Sequence, residues 1–253
     1  MVDDELLATL RAVALAVGDA FRNGVVDYRA SGERVGQYAL DLVTDAVAVE
    51  LLVSAGFGVL SEESGRHHPD RELVVVVDPI DGSTNASRGI PWFNTSLAVV
   101  DPDGLRAGLV MNQVSGVCYS ASRGGGAWRD GELIRVAEPV PLERALVAIN
   151  GYPARPIGSA QYRAFGAAAL DLCLVGQGSV DAYLDVSASA PERSAHGAWD
   201  YLAGMCIVTE AGGVIEDVFG RELVVIEHEA RRSPVAASSR ALLEGLVESR
   251  ADS

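Results

Sequence analysis

The sequence predicts an α+β half followed by an α/β half, and three observations carry that reading. Residues 73–77 are an unbroken aliphatic run, rich in β-branched side chains, of the kind found at the centre of a sheet. Short strand-like segments punctuated by Asp-Gly and Gly-Gly turns fill the first half. Beyond Pro139 and Pro141 the pattern changes to strands alternating with helical stretches. These prolines set the expected division into 1-138 and 139-253.

Asp3 or Asp4 caps a first helix whose apolar stripe is Leu6, Leu10, Val13, Val17 and Phe21, with Gly24 as its stop. A second helix is expected over 42–55, ended by Gly56. Strands follow around 57–60, 73–78, 95–100, 107–111 and 116–121. Pro79 is expected to end the 73–78 strand, because it donates no backbone hydrogen bond. Asp101-Pro102-Asp103-Gly104 and Asp130-Gly131 are turn signals. In the second half, 145–150 and 181–186 read as strands. The Ala-rich stretch 160–174 reads as a helix, as do 199–211, ended by Gly212-Gly213, and 236–249.

Composition removes several classes of function. Of the 253 residues, 49% are hydrophobic, yet no apolar run reaches the ~18–20 residues of a membrane-spanning helix. The opening Asp3-Asp4-Glu5 has the wrong charge for a secretory leader, so a cytoplasmic location is expected. Cys118, Cys173 and Cys206 are widely spaced, which argues against a disulfide framework or a zinc cluster. All 20 basic residues are arginine, so there is no P-loop lysine, no Schiff-base lysine and no Ser–Lys pair. A GxSxG elbow is also missing. A net charge of -15 without a basic block argues against nucleic-acid binding. It would also repel a phosphate ester unless bound cations reversed the local sign.

The candidate chemistry sits where the 73–77 run gives way to Asp78-Pro79-Ile80-Asp81-Gly82-Ser83-Thr84-Asn85. Two carboxylates emerge there beside a glycine turn with exposed N–H groups and two hydroxyls, a combination suited to metal-assisted phosphate chemistry. Glu62 and Glu63 follow the strand-like Phe57-Gly58-Val59-Leu60, and Asp200 opens a helix. Taken singly, these acids also read as solvated surface groups or, for Asp200, as an N-cap.

Together they form a known pattern. The chain resembles the inositol monophosphatase family of Mg2+-dependent phosphomonoesterases. The matching elements are Asp41-Leu42-Val43-Thr44, Glu62-Glu63-Ser64, Asp78 to Asn85, and Trp199-Asp200 followed by Thr209-Glu210-Ala211-Gly212-Gly213, and they span about residues 5–240. The resemblance implies a layered αβαβα sandwich. It also implies that Glu62, Asp78, Asp81 and Asp200, with the Ile80 carbonyl, bind two or three Mg2+ ions, Mn2+ being a possible substitute. Mg2+ favours hard oxygen ligands and shares phosphate oxygens with its substrate. Gly82, Ser83 and Thr84, beside Ile80, Asp81 and Asp200, would hold the substrate, and Ser83 and Glu62 would serve a metal-activated water. A polyol or sugar phosphate is the implied substrate, with myo-inositol 1-phosphate the leading candidate. Histidinol phosphate, fructose 1,6-bisphosphate and phosphoadenosine phosphate are the alternatives. Lithium sensitivity and a homodimer are implied as well.

The match departs from the family in places. Where an Asp normally follows three residues after the Thr of the DLVT element, this chain has Val47. Two readings of Asp45 stay open: it takes that catalytic role, or it is solvated and the role is unfilled. Gly166, Ala167 and Ala168 match the loop that touches the substrate, and Asp185 stands where a polyol-binding Glu is usual. Residues 186–198 are longer than in typical members, and either bring Arg193 or His196 to the pocket or form a surface loop. His67-His68 reads as an exposed loop, Arg231-Arg232 as a solvated pair or at most a subunit-contact element, and Gly124-Gly125-Gly126 as a turn near Trp128. Two competing readings remain. Val99-Val100-Asp101-Pro102-Asp103-Gly104 mimics the aspartyl-phosphate phosphatases, whose later lysine is missing here. The Val47 position suggests instead a regulatory homologue acting through protein or RNA partners.

Overall fold

The computed structural model describes residues 3–24 and 39–251. Helices α1 (Asp3–Gly24) and α2 (Ala39–Ser54) precede strands β1 (Gly58–Ser61), β2 (Gly65–His67) and β3 (Val74–Asp81). A short helix α3 (Ser83–Arg88) leads to β4 (Asn94–Asp101), β5 (Gly104–Asn112), β6 (Cys118–Ser122), β7 (Gly126–Arg129) and β8 (Glu132–Ile134). The second half holds β9 (Leu146–Asn150), β10 (Gln161–Arg163), α4 (Ala168–Gly176), β11 (Ala182–Asp185), α5 (Ala198–Glu210), β12 (Val214–Asp217), β13 (Pro234–Ala237) and α6 (Arg240–Ala251).

Two sheets organise these elements. The first has eight strands in the order β2-β1-β3-β4-β5-β6-β7-β8, and the second has five, β10-β9-β11-β13-β12. Alternation along β3 shows how the layers stack, because successive side chains leave opposite faces of a strand. Val75 and Val77 pack with Leu6, Leu10, Val13 and Leu52 of α1 and α2. Val74 and Val76 pack with Leu172 of α4 and Ala203 and Ile207 of α5. The same central layer touches Ala148, Tyr183 and Ala236 of the second sheet. On that sheet's far face, Val147, Leu184 and Val235 meet Leu242, Leu243 and Leu246 of α6. The order is therefore helices, sheet, helices, sheet, helix, an αβαβα sandwich. The strands divide between β8 and β9, but α4 and α5 give both sheets one shared core.

Several local expectations need correcting. Pro79 does not end β3. The strand continues to Asp81 through an irregularity between Asp78 and Asp81, where a missing N–H breaks no ladder bond. The stretch 160–174 is an edge strand followed by α4, because Gly166 takes a left-handed φ of 86° that no helix interior accepts. Residues 234–237 form β13 at the start of what reads as one helix.

Candidate active site

The carboxylates converge because of how three elements end. Strand β1 runs parallel to β3, with Ser61 opposite Val77, and the Glu62 N–H donates to the Val77 carbonyl at 3.1 Å. Glu62 and Asp78 therefore reach the same edge of the sheet. Asp81 lies beyond the β3 irregularity opposite Asn94. Asp200 is in the first turn of α5, which is tied to β4 by a 2.8 Å hydrogen bond from Ser96 Oγ to the Trp199 carbonyl. Ligand oxygens of Asp78, Asp81 and Asp200 all lie within 4.8 Å of one another.

Protein donors fix one oxygen of each carboxylate. Asp78 Oδ1 accepts from the Ile80 N–H at 2.9 Å. Asp81 Oδ2 accepts from Asn94 Nδ2 at 2.7 Å and from the Ala169 N–H at 2.8 Å. Asp200 Oδ2 accepts from the Gly197 N–H at 2.7 Å. Asn94, fully buried, and the start of α4 thus orient Asp81, a role the sequence signals only as a polar residue in an otherwise apolar strand.

Among the described residues the cluster gathers more acidic groups than cations, His196 beside Asp200 being the nearest basic side chain. Burial, then repulsion from Asp200 and Glu63, pushes the Glu62 carboxyl well up. Asp78 is pushed up by burial and by Glu62, Asp81 and Asp200. Asp81 is pushed up to about 7, chiefly by burial and Asp200, although Asn94 and the Ala169 N–H oppose the shift. Hard oxygen donors, gathered and mutually repelling, suit a hard divalent cation. The donor set therefore fits a bound metal ion, as expected from the sequence.

Beside the cluster, Gly82 has a φ of 87° and caps α3. A Cβ there would lie 3.1 Å from Ala167 Cβ and 3.2 Å from the carbonyls of Gly166 and Trp92, so only glycine fits this close approach. Ser83 and Thr84 open α3, where N–H groups lack intrahelical partners. Asn85 braces the turn, donating to the Trp92 and Phe165 carbonyls, both at 2.8 Å.

The remaining expected site residues are placed differently. Asp45 is buried and its Oδ1 accepts from Ser61 Oγ, which in turn accepts from the Glu63 N–H at 3.0 Å. It therefore braces the chain around Glu62. Asp41, which the sequence reading used only as a motif residue, is the helix-α2 carboxylate whose charge reaches Glu62. Gly166 is exposed, whereas Ala167 and Ala168 are buried in the central core. Asp185 is fully buried. The segment 186–198 is folded. Arg193 points to solvent, and His196 is buried and paired through its backbone with Arg232. Burial alone would lower the His196 imidazole, but Asp200, Asp185 and Asp81 outweigh it and hold the group up at about 9.

Arg231-Arg232 is not a solvated pair. The Arg231 guanidinium lies 5.0 Å from the centre of the Trp199 ring, and Arg232 donates to the Glu222 carbonyl. His67 accepts or donates to Ser64 Oγ at 2.8 Å and His68 is exposed. Gly124 and Gly126 form a turn whose N–H groups bind the Glu210 carboxylate. Asp101 and Asp103 sit at the β4–β5 hairpin, where Asp101 pairs with Arg123 at 2.9 Å, so the aspartyl-phosphate reading has no site. An apolar cavity of about 420 Å³ on the α6 side, lined by Ile157, Val186 and Phe219, holds no carboxylate.

Comparison with known proteins agrees with this geometry. Residues 3–253 match the profile of the inositol monophosphatase family. A protein named fructose-1,6-bisphosphatase/inositol-1-monophosphatase from Thermococcus kodakarensis is 33% identical over 234 residues, covering 88% of each chain. The Nus factor SuhB of Pasteurella multocida is 33% identical over 178 residues, 64% of this chain and 63% of its own. A solved protein from Pyrococcus horikoshii, described as having similarities for inositol-1 monophosphatase, superposes with a TM-score of 0.82 at 26% identity. That match covers 98% of this chain and 97% of the other.

Proposed function

Because the chain belongs to the inositol monophosphatase family, and is thereby a metal-dependent phosphatase of phosphoric monoesters, we propose that it uses Mg2+ to hydrolyse a small polyol or sugar phosphate. The leading substrate is myo-inositol 1-phosphate. Fructose 1,6-bisphosphate is the alternative favoured by the name of the Thermococcus relative. The observation that carries the reading is the gathering of Asp78, Asp81 and Asp200 within 4.8 Å, beside a turn only glycine can make.

In this reading Glu62, Asp78, Asp81, Asp200 and the Ile80 carbonyl hold two or three ions. When bound, the metal supplies positive charge to the phosphoryl oxygens and lowers the pKa of the attacking water. The N–H groups of Gly82 and Ser83 and the hydroxyls of Ser83 and Thr84 take the phosphate oxygens. Asn94 and the Ala169 N–H keep Asp81 aimed at the cluster. Val47 carries no carboxylate and Asp45 is tied to Ser61, so orienting the water falls to Glu62 and the Ser83 hydroxyl. Lithium inhibition, a homodimer and a cytoplasmic location belong to the same reading. No helix among the described residues is long and apolar enough to cross a membrane.

Val47 and the likeness to a Nus factor favour a second reading: a slow enzyme whose fold also serves a protein or RNA partner. Phosphate release decides between the two. The test uses myo-inositol 1-phosphate, fructose 1,6-bisphosphate, histidinol phosphate and phosphoadenosine phosphate, each with and without Mg2+. Mg2+-dependent turnover of the inositol ester that Asp81→Asn abolishes supports the proposal. Preference for another ester replaces the substrate, and no release from any ester favours the partner-binding reading.

A further inference from the structure

The segment 186–198 carries a feature that the carboxylate cluster does not use. His196 is buried, with Nδ1 3.5 Å from Asp200 Oδ2 and Nε2 3.9 Å from Asp185 Oδ1. The imidazole thus stands between the metal-site acid and the acid expected to bind a polyol. Asn150 Nδ2 lies 3.1 Å from His196 Nε2 and also donates to Asp185 Oδ1 at 3.2 Å. The Tyr183 hydroxyl lies 3.2 Å from the same ring nitrogen. Asp200 is thus the partner of Nδ1, and the Asn150 amide and the Tyr183 hydroxyl flank Nε2.

Asp185 is organised for this inner role. Its Oδ1 accepts from the Ser187 N–H at 2.9 Å and from Ser187 Oγ at 2.5 Å, besides Asn150. Oδ2 is buried without a hydrogen-bond partner. With no exposed surface, the side chain offers nothing to a substrate hydroxyl. The ring itself is held by main chain: His196 and Arg232 exchange N–H to carbonyl bonds of 3.2 and 2.8 Å.

We propose that His196 is a positioning residue for Asp200, and that Asp185, with Asn150 and Tyr183, acts on the metal site through the imidazole. The consequence is a chain Asp185–Asn150–His196–Asp200 that fixes one oxygen of a metal ligand. This rests on the metal-site reading above and extends it. Hydrogen-bond partners that orient a metal ligand typically change metal affinity by about 10–100-fold.

Mn2+ titration calorimetry on the full chain, together with kcat and KM, tests the proposal. His196→Ala is expected to weaken Mn2+ binding about 10–100-fold. His196→Asn, whose amide reaches the Nδ1 position, restores most of the affinity, whereas His196→Gln, which mimics Nε2, does not. All three variants leave the main-chain groups that pair with Arg232 in place, and folding is checked by melting without metal. Asp185→Asn is expected to weaken Mn2+ binding and lower kcat with little change in KM. Equal Mn2+ affinity in wild type, His196→Ala and Asp185→Asn overturns the inference, as does an Asp185→Asn effect confined to KM. Wild type that binds no Mn2+ overturns the metal-site reading itself, and this inference with it.

Discussion

Two buried acidic sites in this molecule behave in opposite ways. Asp217, at the end of β12, accepts two hydrogen bonds from the Arg221 guanidinium, at 2.9 and 2.8 Å, and others from the Phe219 and Ser233 N–H groups. Burial opposes its charge, but the Arg221 and main-chain donors win and hold its carboxyl below the usual range. Asp78 and Asp81 are also buried and accept main-chain hydrogen bonds, yet they, and Glu62 beside them, are pushed up. The difference is the cation. Arg221 neutralises Asp217 from within the chain, whereas among the described residues the cluster gathers several acids against one basic group, His196, and no arginine pairs with them. An acid that serves the fold carries its own partner, and an acid that serves chemistry leaves the place for one.

That contrast breaks or sharpens under substitution. Asp81→Asn should lower kcat/KM by at least ~10²-fold, while the metal-free protein at pH 8 melts no lower than wild type, because a buried repulsion is removed. Initial-rate kinetics and thermal melts check both halves. Asp217→Asn should do the reverse. It should cost about 2–3 kcal/mol of stability, less than a fully buried pair because Arg221 is partly exposed, in melts with or without Mg2+.

The pH dependence follows from the raised group. Asp81 titrates near 7 in the fold against 3.8 in the unfolded chain. Its contribution to metal-free stability is therefore complete below 3.8 and lost as pH rises through about 7. Mg2+ competes with those protons, so the rise in melting temperature on adding Mg2+ should be larger at pH 8 than at pH 5. Asp217 predicts no such metal dependence. The smallest effect is expected for Asp45→Ala, which removes the acceptor for Ser61 and should cost about 1–3 kcal/mol. Mn2+ affinity, read by calorimetry, should stay near that of wild type.

What could be read in the sequence was whatever local pattern decides. The α1 stripe is visible because Leu6, Leu10, Val13 and Val17 recur at helical spacing and are all buried together. The β3 run and the four acids are visible because residue type and order carry them. Other features depend on distant partners. Ala-rich composition hid the break at Gly166, whose left-handed backbone is set by packing near Asn85. Strand β13 was hidden because its four residues run straight on towards a helix. Asp185 reads as a substrate contact from position alone. It is covered because 186–198 folds back, and His196 pairs with Arg232, 36 residues later in the chain. No periodicity announces that pairing.

Crystals soaked in Mn2+ and measured at the manganese edge test the central claim most directly. Anomalous peaks bounded by Asp78, Asp81 and Asp200, with Glu62 beside them, are the result expected here. Manganese that is absent from that edge of the sheet at saturating concentration, or bound only elsewhere, would contradict it.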